Sequence, residues 1–345
     1  MDPNQPRNPK DLQGLLKFCI EATRSEDAPN NPDQADAEMD PERRAWLEQA
    51  LSSMSVDVIK ELTEGIRILN SPSVMDPNAA EEDIEKVEYA FECIGEWVDQ
   101  IDMANNFHKL GGFDSLKKCL NSPHDNLRCQ AANAIAELSQ NNPYCQEMFI
   151  KDDFLSNLLQ MISNDKGQGC QIKAMYAISC LTRESKIAQD KFLEPSTNGP
   201  SIILNSTMGS GAANDKLRIK ACFFISALCE DNVDAKKAFV DMGLPRQVLT
   251  IMQMEEHSQS HEQMARALLI VLKDNDQVKK ELIESSELGL KKFLSSRIQM
   301  LQGQEEFDEE RQYLNDIAKI CYGDGFFEKT VHADVDRWKY NVYIY

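Results

Sequence analysis

An all-α, right-handed superhelical solenoid is the fold class that this 345-residue sequence predicts, and three observations carry the prediction. An octet of the form Ala-x-x-small or apolar-Ile/Leu-x-x-Leu/Trp recurs five times: AFECIGEW from Ala90, AANAIAEL from Ala131, AMYAISCL from Ala174, ACFFISAL from Ala221 and ARALLIVL from Ala265. Successive octets start 41, 43, 47 and 44 residues apart, the period of HEAT and armadillo units. Within each octet the first, fourth, fifth and eighth positions share one stripe of a helix, as Ala174, Ala177, Ile178 and Leu181 do, so each repeat carries a seam to bury. Each octet is then followed by an apolar anchor (Phe107, Phe149, Phe192, Phe239 or Leu282) and by a third apolar stretch such as FLSNLLQMI from Phe154 or LPRQVLTIM from Leu244. Three helices per repeat favour the armadillo plan over HEAT.

Composition agrees with an array of this kind. Apolar residues make up 42% and aromatics 7%, with 15 Gly and 13 Pro, which suits packed Ala-, Leu- and Met-rich helices. The net charge of −20 repels phosphate backbones and anionic lipid surfaces, so neither nucleic acid nor a membrane is an expected partner. A neutral or basic protein surface is. The polar start from Met1 to Arg7 carries no apolar leader, and no apolar run is long enough to span a bilayer, so a cytoplasmic, monomeric protein is expected. Cys93, Cys180, Cys222 and Cys229 fall inside apolar helical patterns and are expected as small hydrophobes rather than disulfide partners.

The chain changes character outside the repeats. Residues 1–41 read as a flexible N-terminal segment, with an apolar island at 12–22 and a Pro-, Asp- and Asn-rich stretch from 25 to 41. Residues 42–80 read as a helix, started by Asp40-Pro41-Glu42 and ending near Leu69, followed by a linker over 71–80. The repeats are assigned to 81–295. Capping helices and a tail, amphipathic and strongly charged on one side, are assigned to 296–345.

Chemical motifs are sparse. His257 and His261, spaced i, i+4 among Glu255, Glu256 and Glu262, could share a helix face as a metal pair, but two ligands do not make a site, and the plainer expectation is a solvated helix entry. Gly209-Ser210-Gly211 lacks the strand and lysine of a phosphate loop and reads as a turn. No CxxC pair or nucleophile motif occurs, so no catalytic residue, metal or cofactor and no small-molecule substrate is expected.

The outward positions of the octet helices are more informative. Armadillo arrays that clamp linear peptides commonly place Trp and Asn at the third and seventh octet positions. Here those pairs are Glu92/Glu96, Asn133/Glu137, Tyr176/Cys180, Phe223/Ala227 and Ala267/Val271, so a folded partner surface is favoured over a peptide. At the tenth position sit Asp99, Gln140, Arg183, Glu230 and Asp274. Tyr176, Arg183 and Phe223, with Lys173, Lys220, Glu184 and Asn133, are therefore the candidate centre of a concave binding face, with Glu92, Glu96 and Glu137 as its acidic flank. The plainer alternative is that Arg183 only pairs with Glu184 or a neighbouring acid.

Several segments resemble a known family, the armadillo-type nucleotide-exchange factors of the 70-kDa heat-shock chaperone: LQGLLKFCIEA from Leu12, ERRAWLEQA from Glu42, IKAMYAISCLTRE from Ile172, EEHSQSHEQMARALL from Glu255, and LGLKKFL with QMLQGQEEFDEE near the end. The resemblance covers most of the chain, and the YNVYIY end, without a retention tail, is similar to the cytosolic branch. It implies a co-chaperone whose array embraces one lobe of the chaperone's nucleotide-binding domain and opens the ADP cleft. It also implies that the island, through Leu15, Leu16, Phe18 and Ile20, helps to release clients.

Overall fold

The computed structural model describes residues 57–209, 214–323 and 326, and every regular element among them is helical. The chain divides into residues 1–61 and 62–345. Of the first unit, only the start of α1 (Val58–Leu69) is described, and the apolar island at 12–22 lies outside the described residues.

From α2 (Glu81–Val98) onward the second unit repeats one plan of two short helices followed by a longer one. The order is α3 (Ile101–Lys109), α4 (Gly112–Leu120), α5 (Asp125–Ser139); α6 (Pro143–Lys151), α7 (Phe154–Asn164), α8 (Gln168–Thr182); α9 (Lys186–Leu193), α10 (Gly199–Met208), α11 (Asp215–Asp231); α12 (Val233–Asp241), α13 (Leu244–Met254), α14 (Ser260–Leu272); and α15 (Asp276–Glu284), α16 (Leu290–Met300), α17 (Asp308–Tyr322). The long helices α2, α5, α8, α11, α14 and α17 pack each on the next in one row.

The octet stripe is the core. Ala131, Ile135 and Leu138, the four stripe residues of α8, and Ala265, Leu268 and Leu272 are completely shielded from solvent. Phe107, Phe149, Phe192 and Phe239 are equally buried, and Phe149 stacks on Phe113 with ring centroids 3.9 Å apart. Each such ring removes a large apolar area from water and contributes about 3–5 kcal/mol against truncation to Ala.

Turn chemistry sets the second helix of every unit. Gly111, Asp153, Asn198, Gly243 and Gly289 precede α4, α7, α10, α13 and α16, and all have positive φ. These are the residue types that tolerate the left-handed turn. Helix entries after the long helices use another device: the Asn142, Asn232 and Asn275 side chains accept the N–H groups of Cys145, Ala235 and Val278.

Side chains also cap carbonyls of the next repeat. The buried Gln146 of α6 donates to Cys180 O (3.0 Å) and Arg183 O (2.9 Å), Lys236 donates to Lys273 O (2.5 Å), Lys117 to Asp152 O (2.7 Å), and Gln253 to Leu288 O (2.6 Å). Two arginines, Arg128 partly buried and Arg218 fully so, add charged links of the same span. Arg128 of α5 grips Asp165 at 2.7 and 2.9 Å, and Arg218 of α11 holds Glu255 at 2.7 Å.

Two assignments made from sequence need correction. The stretch 71–80 is not simply a linker: Pro72–Met75 forms a 3-10 helix, Val74 is buried, Ser122 Oγ donates to its carbonyl at 2.6 Å, and Lys118 Nζ donates to Asn70 O at 2.8 Å. A short stretch is thus docked by side-chain donors on backbone carbonyls, which composition does not reveal. The boundary at 295/296 falls inside α16, and α15, α16 and α17 form a further three-helix unit. Its octet is hidden because Leu314 and Cys321 stand where the other octets have Ala and Leu or Trp, although Leu314, Ile317 and Ala318 are buried on the same stripe.

Candidate functional site

The middle of the long-helix row gathers the sequence candidates. With the α8 stripe turned inward, helical spacing leaves Tyr176 half-buried and Arg183 exposed just beyond the last turn, and the same geometry on α11 leaves Phe223 38% exposed. The Arg183 guanidinium carbon lies 5.9 Å from the Phe223 ring centroid, and Lys220 Nζ lies 5.6 Å from that of Tyr176. Tyr176, Arg183, Glu184, Lys220 and Phe223 line one cleft of about 380 Å³ with Gln140, Gln146 and Met175. Among the described residues Arg183 makes no ion pair, and Glu184 occupies the left-handed turn into α9. The pairing of these two acid and base neighbours is not what the geometry shows.

A second chain of contacts runs toward the N-terminal side. Lys173 Nζ donates to Asn133 Oδ1 at 2.7 Å, and Asn133 Nδ2 donates to Glu137 Oε1 at 2.7 Å. Glu137 reaches α2 at Gly95, where a Cβ would lie 3.8 Å from its carboxylate, and Glu92 and Glu96 are exposed on that helix. The face therefore passes from acidic at α2 and α5 to cationic and aromatic at α8 and α11.

Burial pushes the Tyr176 hydroxyl up, Cys180 adds to the rise, and Arg183 opposes it. Burial likewise raises the Cys180 thiol, against Tyr176, Arg183 and Lys220. These groups stay neutral near pH 7, which suits contact rather than proton transfer. Among the described residues, no group of three or more His, Cys, Asp and Glu side chains could hold a metal.

Sequence reasoning missed two members of this face. Arg266 on α14 places its guanidinium 5.5 Å from the Phe223 centroid, so two cations flank that ring. Gln146 fixes the backbone that carries Arg183. Arg266 stands one position from Ala267, and a search for cations on either side of the outward octet positions could have found it. Ala267 and Val271 themselves were expected outward but are fully buried, because α17 packs on α14 and covers that side.

The histidine pair is also corrected. His261 is fully buried, and His257 Nε2 lies 2.7 Å from Glu310 Oε2 on α17, so this is an internal joint between the last two units rather than a solvated helix entry. The Phe307 ring, just before α17, stands edge-on to His257 with centroids 4.6 Å apart. Burial, then the charge of Arg297, drives His261 down from 6.5 to about 4, while a hydrogen bond to Ser258 works the other way. Because the folded value is depressed, the unfolded chain takes up a proton that the folded chain does not as pH falls from about 6.5 toward 4, and stability is lost over that window. Equilibrium denaturation should give about 2 kcal/mol less stability at pH 5 than at pH 7 from this group. A His261→Gln variant should show a smaller difference, and an unchanged one would remove His261 as its source.

Comparison with known proteins bears on what such a face is for. A family model described as the SIL1/FES1/HPBP1 C-terminal domain matches residues 103–242, and one described as nucleotide exchange factor Fes1 matches residues 12–107. Hsp70-binding protein 1 of Homo sapiens is 31% identical over 92% of this chain and 86% of its own length. The chain belongs to this family. Another relative, the Hsp70 nucleotide exchange factor FES1 of Debaryomyces hansenii, is 28% identical over 49% of this chain and 58% of its own. Among solved structures, a designed armadillo repeat protein in complex with the peptide (KR)4 aligns with a TM-score of 0.58 at 16% identity, over 75% of this chain and 99% of that one. This last likeness establishes the armadillo fold alone. The two family models together take in the acidic flank and Tyr176, Arg183 and Phe223, while Arg266 lies beyond them.

Proposed function

We infer that the chain is a co-chaperone of the 70-kDa heat-shock chaperone that promotes nucleotide exchange, acting as a binding protein with no reaction of its own. The observation that carries the site is the exposed Phe223 ring between Arg183 and Arg266, beside Tyr176 and Lys220, in the middle of the long-helix row. Aromatic and Arg side chains held in place on an accessible face are the types that dominate protein interfaces. The partner surface is the chaperone's nucleotide-binding domain, seated on the concave side, with Glu92, Glu96 and Glu137 meeting a basic patch that orients it. By linkage, a partner that binds the open nucleotide cleft better than the closed one weakens ADP by the same factor by which ADP weakens the partner. The protein acts as a monomer in the cytoplasm.

A linear-peptide receptor is the second reading. The (KR)4 peptide of the designed neighbour is basic, whereas Lys173, Arg183, Lys220 and Arg266 gather on the middle of this row and would repel it. Stopped-flow release of a fluorescent ADP analogue from the chaperone should accelerate when this protein is added at micromolar concentration. No acceleration would end the exchange reading.

The N-terminal segment has a separate task. Leu15, Leu16, Phe18 and Ile20 form an apolar cluster of the kind a chaperone's peptide site accepts, and tethering to the array makes their encounter with that site intramolecular. Deleting residues 1–40 should slow release of a labelled client while exchange rates stay matched. Unchanged client release would remove the role.

A further inference from the structure

Cys129 and Cys170 take no part in the cation–aromatic face. They stand near the starts of two adjacent long helices, α5 and α8, 41 positions apart in sequence, with their Sγ atoms 2.7 Å from one another. Small residues permit this approach: a Cβ at Gly169 would come within 3.5 Å of Cys129 Sγ, and one at Gly167 within 3.2 Å of Cys170 Sγ. Cys170 is fully buried, its Sγ 3.2 Å from the Asp125 carbonyl, whereas Cys129 is half-exposed. The pair thus has one residue partly open to solvent and one closed to it.

Four other buried cysteines lack this arrangement. Cys119, Cys145, Cys222 and Cys229 are enclosed in the core, where burial pushes each thiol up to about 12. A buried thiol with neither access nor a sulfur partner is inert.

We propose that Cys129 and Cys170 form an oxidation site at which a peroxide installs a disulfide joining the second and third long helices of the row. The Cys129 thiolate attacks one peroxide oxygen, the O–O bond breaks, and the other oxygen leaves with a proton as water, so that Cys129 becomes a sulfenic acid. The Cys170 sulfur then attacks the sulfenic sulfur. An S–S bond forms, the S–O bond breaks, and the hydroxide departs with the Cys170 proton as a second water. Two thiols and one peroxide give one disulfide and two waters, and a disulfide bond of about 2.05 Å requires only a small side-chain adjustment from the present separation.

The division of labour follows from the surroundings. Cys170, closed to solvent but 2.7 Å from Cys129 Sγ, does not meet peroxide itself and serves as the resolving partner, while burial and the Cys129 sulfur raise its thiol and Arg128 opposes them. The bond would tie the helix bearing Asn133 and Glu137 to the one bearing Lys173 and Tyr176. On the functional reading above, oxidation then holds the acidic flank and the cationic centre in one register.

The test uses the reduced full-length chain exposed to hydrogen peroxide, alkylated, digested and analysed by mass spectrometry. The expected product is a Cys129–Cys170 cross-linked peptide pair that disappears with dithiothreitol and is absent from Cys129→Ser and Cys170→Ser. Oxidised wild type should melt on the order of 5 °C above the reduced protein, because the cross-link restricts the unfolded chain, and neither variant should show the rise. Cys129 recovered as sulfinic acid beside an alkylated Cys170, both thiols left intact by peroxide, or a cross-link that fails to raise the melting temperature would each overturn the proposal. Should Cys170→Ser fold poorly, Cys129→Ser, altered at a half-exposed position, still makes the comparison.

Discussion

Replacing Arg183 by Glu is expected to weaken chaperone binding by about 2 kcal/mol or more, roughly a 30-fold loss of affinity, and to slow ADP release in proportion at limiting concentration. The substitution removes the cation beside Phe223 and puts a carboxylate in the one cationic region of this face. The fold should not notice: Arg183 is exposed, and Gln146 hydrogen-bonds to its backbone carbonyl, which survives the change. Circular dichroism and melting temperature should therefore match the wild type. An Arg183→Lys variant keeps the charge but not the planar guanidinium, and should fall between the two. A simple surface ion pair would contribute about 0–1 kcal/mol. Exchange at the wild-type rate with Arg183→Glu would send the search for the binding face elsewhere on the array.

The second large effect belongs to the joint of the last unit. Glu310 is 1% exposed; its Oε2 meets His257 Nε2 at 2.7 Å, and its Oε1 lies 3.9 Å from Arg297 Nη1. Arg297 is itself nearly buried, and its Nη2 donates to Met252 O at 2.6 Å. Burial pulls the guanidinium down and Glu310 opposes that fall, so the carboxylate supplies counter-charge to a cation held inside the protein. Glu310→Ala leaves Arg297 without that counter-charge and is expected to destabilise the joint by about 3–5 kcal/mol. Because repeats contact only their neighbours, the loss should be local first. Hydrogen exchange should speed up in α17 and α14 well before α5. Equal protection in the variant and the wild type would show that Glu310 contributes little.

How much of this was legible in the sequence differs from residue to residue for a physical reason. The seam at Ala174, Ile178 and Leu181 could be read because burial within one helix follows its own 3.6-residue period. Tyr176, Arg183 and Phe223 could be placed on one face for the same reason, once the octets were aligned. Gln146 and the burial of Ala267 and Val271 could not, since each depends on a contact between helices of different repeats. The docking of residues 72–75 escaped for a related reason: it is held by carbonyls, and every residue type has one.

The carbonyl caps that reach into the following repeat have a temporal meaning. Lys117, Gln146, Lys236 and Gln253 each donate to a carbonyl 34 to 37 positions later in the chain. A ribosome makes these donors before their acceptors, so the ends of α6, α8 and α14 emerge with a capping group already present on an earlier helix. At these three junctions a chain halted between units exposes an idle amide or ammonium, which water solvates readily, rather than an unmet carbonyl at a helix end. There the order of synthesis and the order of capping agree, whereas the Met252 carbonyl at the end of α13 waits for Arg297, which is made 45 positions later.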